Sequence, residues 1–187
     1  YIVDCLVEEV LQRQSEATRC FLLQSAILDR LSGPLCAAVT GQPDSKAQLE
    51  ALERGNFFVV PLDDRRHWYR YHHLFAEVLR VHLAADLPEQ LSPLHGRASA
   101  WYEQHGSVND AIHHAIAAQN FERAANLIER AIPEIRRTRQ ESTLLGWLRT
   151  LPNELVRNRP VLSAHYAWVL LAQGEMEVVY DFFHPAA

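Results

Sequence analysis

The pattern of apolar and polar positions predicts a series of short helices interrupted once by a segment with strand character. Apolar residues recur at helical spacing over residues 2–14. Ser15 is placed to cap a second helix whose apolar face runs to Leu28, and Ser32 is placed to cap a short third helix that ends near Val39. The first 40 residues are therefore predicted to be helical apart from two breaks.

A fourth helix and a hairpin follow. Asp44 or Ser45 begins the helix, and Gly55 in "RGN" ends it. The next segments, "FFVVPL" and "HWYRYH", are short and rich in aromatic and β-branched residues, and the charged residues 63–66 separate them, which predicts a β-hairpin. Three helices followed by a two-stranded hairpin is the element order of a winged helix, here spanning about residues 15–72.

Beyond the hairpin the pattern is helical throughout. Small apolar residues lie on one side of "SVNDAIHHAIAAQN" and "FERAANLIERAIPEI", where they let neighbouring helices approach closely. The predicted fold class is mostly α, a winged helix (three helices plus a β-hairpin) followed by helix pairs that are similar to tetratricopeptide repeats. The predicted domains are a leading helix, the winged helix and the start of a helical superhelix, at residues 1–14, 15–85 and 86–187.

Composition narrows the class of protein. The chain has 187 residues, 48% of them hydrophobic and 22% charged, which is typical of a globular protein. A net charge of −5 provides no general attraction for nucleic acid or an anionic membrane. Neither a signal peptide nor an apolar run long enough to span a bilayer is present in the sequence, and the three cysteines form no C-x-x-C pair. We expect a cytoplasmic location, and, without an initiator methionine, a piece of a longer protein.

Two adjacent histidine pairs, His72–His73 and His113–His114, are the first candidates for chemistry. Neighbouring residues on a helix point about 100° apart, so neither pair has the i, i+4 spacing of helical metal ligands. No nucleophile motif accompanies them, and the sequence lacks the phosphate-binding pattern G-x-x-x-x-G-K-[ST]. We therefore expect no metal, no catalytic residue and no enzymatic turnover in this chain.

Three other groups favour structural roles. The predicted fourth helix, "DSKAQLEALERGN", balances its cations with acids, which disfavours direct contact with DNA phosphates. Trp68, Tyr69 and Tyr71 are expected to pack within the hairpin. A cluster at residues 136–139 contains three arginines at a predicted helix end, where cations oppose the negative end of the helix dipole without any ligand.

Three motifs occurring in order resemble one family. The motifs "FLLQSAILDRLSGPLCAAVTG", "LEALERGNFFVVPLDDRRHWYRYHHLFAEVLR" and "AWYEQHGSVNDAIHHAIAAQNFERAANLIE" are similar to the middle of the MalT-like, LuxR-type ATP-dependent transcription activators. The resemblance covers about residues 2–174. The tail "EMEVVYDFFHPAA" departs from it and is expected to lack the second helix of its pair.

The resemblance implies a multidomain parent of the signal-transducing (STAND) NTPase class. Such proteins carry an NTPase core, a winged helix, a helical-repeat sensor and a C-terminal LuxR-type helix-turn-helix. Residues 1–14 would then trail from the NTPase region. The implied partners are that NTPase domain and an unknown inducer or protein on the repeats, with DNA bound only through a helix-turn-helix outside this chain and no membrane involved. The parent is expected to bind ATP and ADP and to hydrolyse ATP slowly, whereas the fragment itself needs no cofactor.

The resemblance also assigns a role to His72. Related switch ATPases carry a Met-His-Asp motif whose histidine contacts the β-phosphate of ADP, and Tyr71, His72 and His73 align with it, with Tyr for Met and His for Asp. His72 is thus the candidate ADP contact in the full-length parent. The alternative is a helix-entry residue bonded to nearby backbone. The implied function is a regulatory fragment that couples nucleotide state to ligand binding and so to transcription activation; a stand-alone repeat adaptor and a winged-helix DNA binder are the alternatives.

Overall fold

A computed structural model describes Leu11 and residues 14–184. The chain divides into two compact units, one up to Trp101 and one from Tyr102 onward. The leading helix predicted over residues 1–14 falls almost wholly outside the described residues, and the predicted domain boundary at residue 85 stays a prediction. No helix in the described part of the chain is both long and apolar enough to cross a membrane.

The first unit is a winged helix followed by two longer helices, as predicted. Among the described residues, three helices precede the hairpin, namely α1 (Glu16–Ser25), α2 (Gly33–Thr40) and α3 (Ser45–Arg54). The hairpin strands are β1 (Val59–Pro61) and β2 (Tyr69–Tyr71). The next two helices are α4 (His73–Asp86) and α5 (Pro88–Gln104).

Local sequence signals define the ends of these helices. The Ser15 side chain accepts a hydrogen bond from the Thr18 amide at 3.2 Å, and the Ser32 side chain accepts one from the Leu35 amide at 3.4 Å, so both predicted N-caps are present. Gly41, at φ 76°, ends α2 in the left-handed region. The helix predicted to run from Ser15 to Leu28 is α1, and it is shorter than predicted, since it ends at Ser25.

The sheet is small, and β2 lies at its centre. The strands pair antiparallel, with Val59 opposite Tyr71, and Leu31 forms an isolated bridge to the other side of Tyr69 through two 2.8 Å hydrogen bonds. Each strand has three residues rather than the six predicted. The backbone of Phe58 is in the left-handed region, at φ 54°, so β1 cannot extend backwards.

One apolar core joins the four helices α1, α2, α3 and α4 within this unit. Its members are fully buried apolar residues: Phe21, Leu22, Leu31, Leu35, Leu49, Leu79 and Leu83. Gly33 permits the close approach of α2 and α3, because a Cβ atom there would lie 2.7 Å from the Cβ of Lys46. The core therefore fixes α3 and the hairpin relative to α1.

The second unit consists of packed helices, as the apolar pattern predicts. They are the end of α5, then α6 (Val108–Ala117), α7 (Phe121–Thr138), α8 (Glu141–Thr150), α9 (Asn153–Arg157), α10 (Pro160–Ala172) and α11 (Met176–Phe183). The small residues Ala111, Ala115 and Ala118 are buried, which lets α6 pack closely on α7. Glu103 forms ion pairs with Arg123 and Arg130.

The expectation that the tail lacks a second helix is wrong. Residues Met176–Phe183 form α11, which packs against α10. Phe182 is buried edge-on against Tyr166, with ring centroids 4.9 Å apart, and its carbonyl accepts a 2.5 Å hydrogen bond from Arg157 Nε. Burial of this one aromatic ring supplies the apolar contact that stabilises a short helix whose sequence carries no capping side chain.

Candidate functional site

His72 and His73 lie where β2 ends and α4 begins, and both side chains are exposed. Their ring centroids are 4.6 Å apart. Two buried aromatics fix this junction from either side. The Tyr71 hydroxyl shares a 2.7 Å hydrogen bond with Ser25 Oγ. The ring of Phe75 stacks on the ring of Phe58, with centroids 5.1 Å apart. The buried aromatic residues at the two ends of "YHHLF" therefore anchor the segment and leave both imidazoles at the surface.

The N-terminus of α4 has no side-chain cap. His72 is its N-cap residue, with φ −58° and ψ 136°, and its side chain makes no hydrogen bond to the described residues. Its backbone amide donates to the Phe58 carbonyl at 2.7 Å, and its carbonyl accepts from the Ala76 amide at 3.0 Å. The first-turn amides of this 14-residue helix carry the positive end of its dipole toward solvent.

A cavity of about 290 Å³ adjoins this helix end. Four of its lining residues are charged at neutral pH, and these are Asp29, Arg70, Glu77 and Arg80. Arg80 is held by a 2.7 Å bond from Nε to the Ala26 carbonyl and a 2.8 Å bond to Asp29. The two cations balance the two acids, so any preference for an anion must come from the helix N-terminus and the two imidazoles.

This geometry is suited to holding an anion rather than to catalysis. Uncapped helix amides, an exposed imidazole and Arg70 are donors of the kind that contact phosphate oxygens. Within the described part of the chain, no group of three or more His, Cys, Asp or Glu residues is placed to hold a metal ion. The histidine predicted at this point thus lies at a cavity wall, and its contact with ADP stays a prediction.

The hairpin aromatics and one histidine of the second pair pack within the fold. Tyr69 and Tyr71 are buried and Trp68 is half-buried, as expected for hairpin packing. His114 is buried and stacks on Tyr102 with ring centroids 5.4 Å apart, whereas its neighbour His113 is exposed. The second histidine pair is therefore split between the interior and the surface.

The arginine cluster at the end of α7 does not act as a unit. Arg137 forms a bidentate ion pair with Glu134, and Arg136 lies over the ring of Trp168 at 5.8 Å. Arg139 is the C-cap residue, at φ 54°. Arg136 and Arg137 therefore have local side-chain partners at this helix terminus, and the expectation that the cluster needs no anion stays a prediction.

Sequence reasoning did not identify the cavity beside His72. Asp29 lies in the loop after α1, Arg70 in β2 and Arg80 in α4, and only the tertiary fold brings them together. The helical spacing alone places Arg80 two turns beyond His73, on the same face of α4 as Ala76 and Glu77. This spacing identifies the side of the cavity that α4 forms, but it does not identify the residues on the opposite side.

Comparison with known proteins agrees with this fold. Residues 7–91 match a family model described as "MalT winged helix domain". The chain is also similar to proteins named "Serine/threonine-protein kinase PknK" from two strains of Mycobacterium tuberculosis (CDC 1551 / Oshkosh and ATCC 25618 / H37Rv) and from Mycobacterium bovis. Each is 32% identical over 167 residues, which is 89% of this chain.

The match covers only a part of these relatives. It corresponds to 15% of the length of each, so the chain spans a small segment of the curated proteins that it matches. The chain thus has a winged helix, which the family model matches over residues 7–91, and packed helices that follow it.

Proposed function

We propose that this chain, with its MalT-type winged helix and the helices after it, is a regulatory segment of a MalT-like signalling protein. In this proposal the segment couples the nucleotide state of an NTPase domain elsewhere in the parent to ligand or partner binding on the helices of the second unit. The observation that carries it is the exposed His72 at an uncapped helix N-terminus beside a cavity, within a domain of the MalT type.

The mechanism is a shift of population between two states of the parent. His72 and the first-turn amides of α4 would contact a phosphate of ADP and stabilise a resting state. A ligand on the second unit would favour the other state, and by linkage it would weaken ADP binding by the same factor. The segment itself performs no turnover, and ATP hydrolysis would take place in the NTPase domain of a cytoplasmic parent.

Two outputs are compatible with such a segment. The MalT-type domain supports a LuxR-family parent in which the active state binds DNA through a separate helix-turn-helix domain and activates transcription. The kinase names of the relatives support a second version, in which the same device regulates a protein kinase. Effector-dependent DNA binding by the parent would favour the first version, and effector-dependent phosphorylation the second.

Direct DNA reading by the winged helix has little support in its charges. Arg66 pairs with Glu53 at 2.9 Å, and Lys46 lies 4.0 Å from Glu50, so the cations around α3 are already opposed by acids. A helix that binds the major groove needs a cationic face to neutralise phosphates. A stand-alone repeat adaptor is the remaining alternative, and it predicts no response of the parent to ADP.

The test is the output of the full-length parent without effector, in the wild type and in His72→Ala. Loss of a hydrogen bond to a charged group, about 1.5–3 kcal/mol, would shift the resting equilibrium by about tenfold or more and raise basal output. His113→Ala is the matched control, because His113 is also an exposed histidine of an adjacent pair but does not line the cavity. Equal basal output in all three proteins would remove His72 from the mechanism.

A further inference from the structure

A second cavity in the first unit lies away from His72. It has a volume of about 370 Å³, which is in the range of small-molecule sites. It lies between the tip of the hairpin and the N-terminal ends of α2 and α3. The side chains that give it chemical character are Lys46, Arg66, His67, Trp68 and Trp101.

Two indoles form its aromatic wall. Trp68 and Trp101 meet edge to face, with ring centroids 6.5 Å apart and planes at 82°. The guanidinium of Arg30 lies 5.3 Å from the centre of the Trp68 ring, which fixes that indole. Both tryptophans are half-buried, so part of each ring surface is open to a ligand.

Three side chains of the cavity, Lys46, Arg66 and His67, are hydrogen-bond donors, and none of the described residues that line the cavity carries a carboxylate. Lys46 lies 4.0 Å from Glu50, and Arg66 pairs with Glu53, so a ligand would bind through the donor groups that these acids leave unused. Arg66 uses its Nε to bond both Glu53 oxygens, at 2.9 and 3.1 Å. Its terminal nitrogens make no hydrogen bond to the described residues. A guanidinium held in this way is suited to binding a carboxylate.

We propose that this cavity, the Trp68–Trp101 cavity, binds a small aromatic carboxylate. The ring of the ligand would pack on the indoles, and its carboxylate would accept hydrogen bonds from Lys46 and Arg66. The volume excludes a macromolecular ligand from the interior of the cavity and suits one or two fused rings. The site shares no lining residue with the cavity at His72, so it is independent of the proposed nucleotide contact.

The probes for the test are benzoate and indole-3-acetate, titrated into the 187-residue chain by calorimetry and by tryptophan emission. Cyclohexanecarboxylate, benzamide and inorganic phosphate test the ring and the charge separately. We expect saturable 1:1 binding of at least one aromatic acid, with weaker binding of all three comparison compounds. No saturable binding of either acid, or equal binding of benzamide or phosphate, would overturn the proposal.

Variants locate the binding. Lys46→Gln should weaken binding by about two- to fivefold, the effect of an exposed ion pair. Arg65→Gln should not, because Arg65 lies at the hairpin tip but does not line the cavity. The emission change should be smaller in Trp68→Phe, where Trp101 alone reports the ligand, and should be unchanged in Trp168→Phe, where the replaced indole also lies against an arginine but in the second unit. Equal effects of the test and control substitutions would place the ligand elsewhere and contradict the proposal.

Discussion

Two tyrosines of β2 differ in one respect that can be measured. Tyr69 and Tyr71 are both buried, with 1% and 5% of their surfaces exposed. The Tyr71 hydroxyl lies 2.7 Å from Ser25 Oγ, whereas the Tyr69 hydroxyl has no hydrogen-bond partner among the residues that the structure describes. Replacing each by phenylalanine therefore removes the same oxygen atom, once with a bond and once without.

The direction of the Tyr71 bond follows from the neighbouring contact. Ser25 Oγ also lies 2.6 Å from the Phe21 carbonyl, which can only accept. A serine hydroxyl has one proton, so it donates to that carbonyl and accepts from Tyr71. Tyr71→Phe then leaves Ser25 with its own bond intact and should cost about 1 kcal/mol, whereas Ser25→Ala leaves a buried phenol donor unpaired and should cost about 1–3 kcal/mol.

Tyr69→Phe should be neutral or stabilising, because it removes a buried polar atom that no hydrogen bond compensates. The assay is thermal and urea unfolding of the first unit, followed by emission in a background with Trp147 and Trp168 replaced by phenylalanine. One kcal/mol corresponds to about 4–8 °C in Tm for a unit of this size. A Tyr69→Phe variant less stable than Tyr71→Phe would refute the reasoning.

Three further outcomes follow from packing and charge. Gly33→Ala should destabilise the first unit by about 1–3 kcal/mol, because its Cβ would lie 2.7 Å from a side-chain carbon of α3. Gly96→Ala should be neutral or stabilising in the same unfolding experiment, because its Cβ would have no described atom from outside its own stretch of helix within 4 Å. Burial raises the pKa of the Tyr71 hydroxyl, so at high pH the folded state keeps a proton that the unfolded state loses. The free energy of unfolding should therefore fall as the pH rises above about 10, and it should fall less steeply in Tyr71→Phe. The hydrogen bond from Arg130 lowers the pKa of the Glu103 carboxyl. The contribution of this ion pair to the free energy of unfolding is therefore present above about pH 4.5 and is lost in acid. Glu103→Gln should lower the free energy of unfolding by up to about 1 kcal/mol at pH 7 and leave it unchanged at pH 2, as measured by urea unfolding at both pH values.

The elements that could be predicted from sequence are those determined by local chemistry. Ser15 and Ser32 cap helices because their hydroxyls reach amides three residues away. The length of the strands could not be predicted in this way. Phe58 reads as part of a strand, yet its ring stacks on Phe75 and its backbone turns into the left-handed region. Tertiary packing overrode local propensity there.

The hairpin tip shows a second effect of the same kind. The Asp63 carboxylate accepts hydrogen bonds from the amides of His67 and Trp68, at 3.0 and 2.8 Å. Hydrogen bonds to the charged carboxylate, first among them that from His67, lower the pKa of Asp63. These bonds close the tip into a compact loop. The closed tip places Trp68 beside Trp101. The two residues are 33 positions apart in the sequence, and no sequence periodicity indicates that they pair.

The central claim is that His72 contacts nucleotide in the parent protein. Calorimetric titration of ADP into the full-length parent tests it most directly, with the wild type, His72→Ala and the control His113→Ala compared at one pH and salt concentration. We expect ADP binding to weaken about tenfold or more in His72→Ala, and His113→Ala to bind ADP as the wild type does. Identical ADP affinities in all three proteins would contradict it and leave His72 as a residue at the entry to α4.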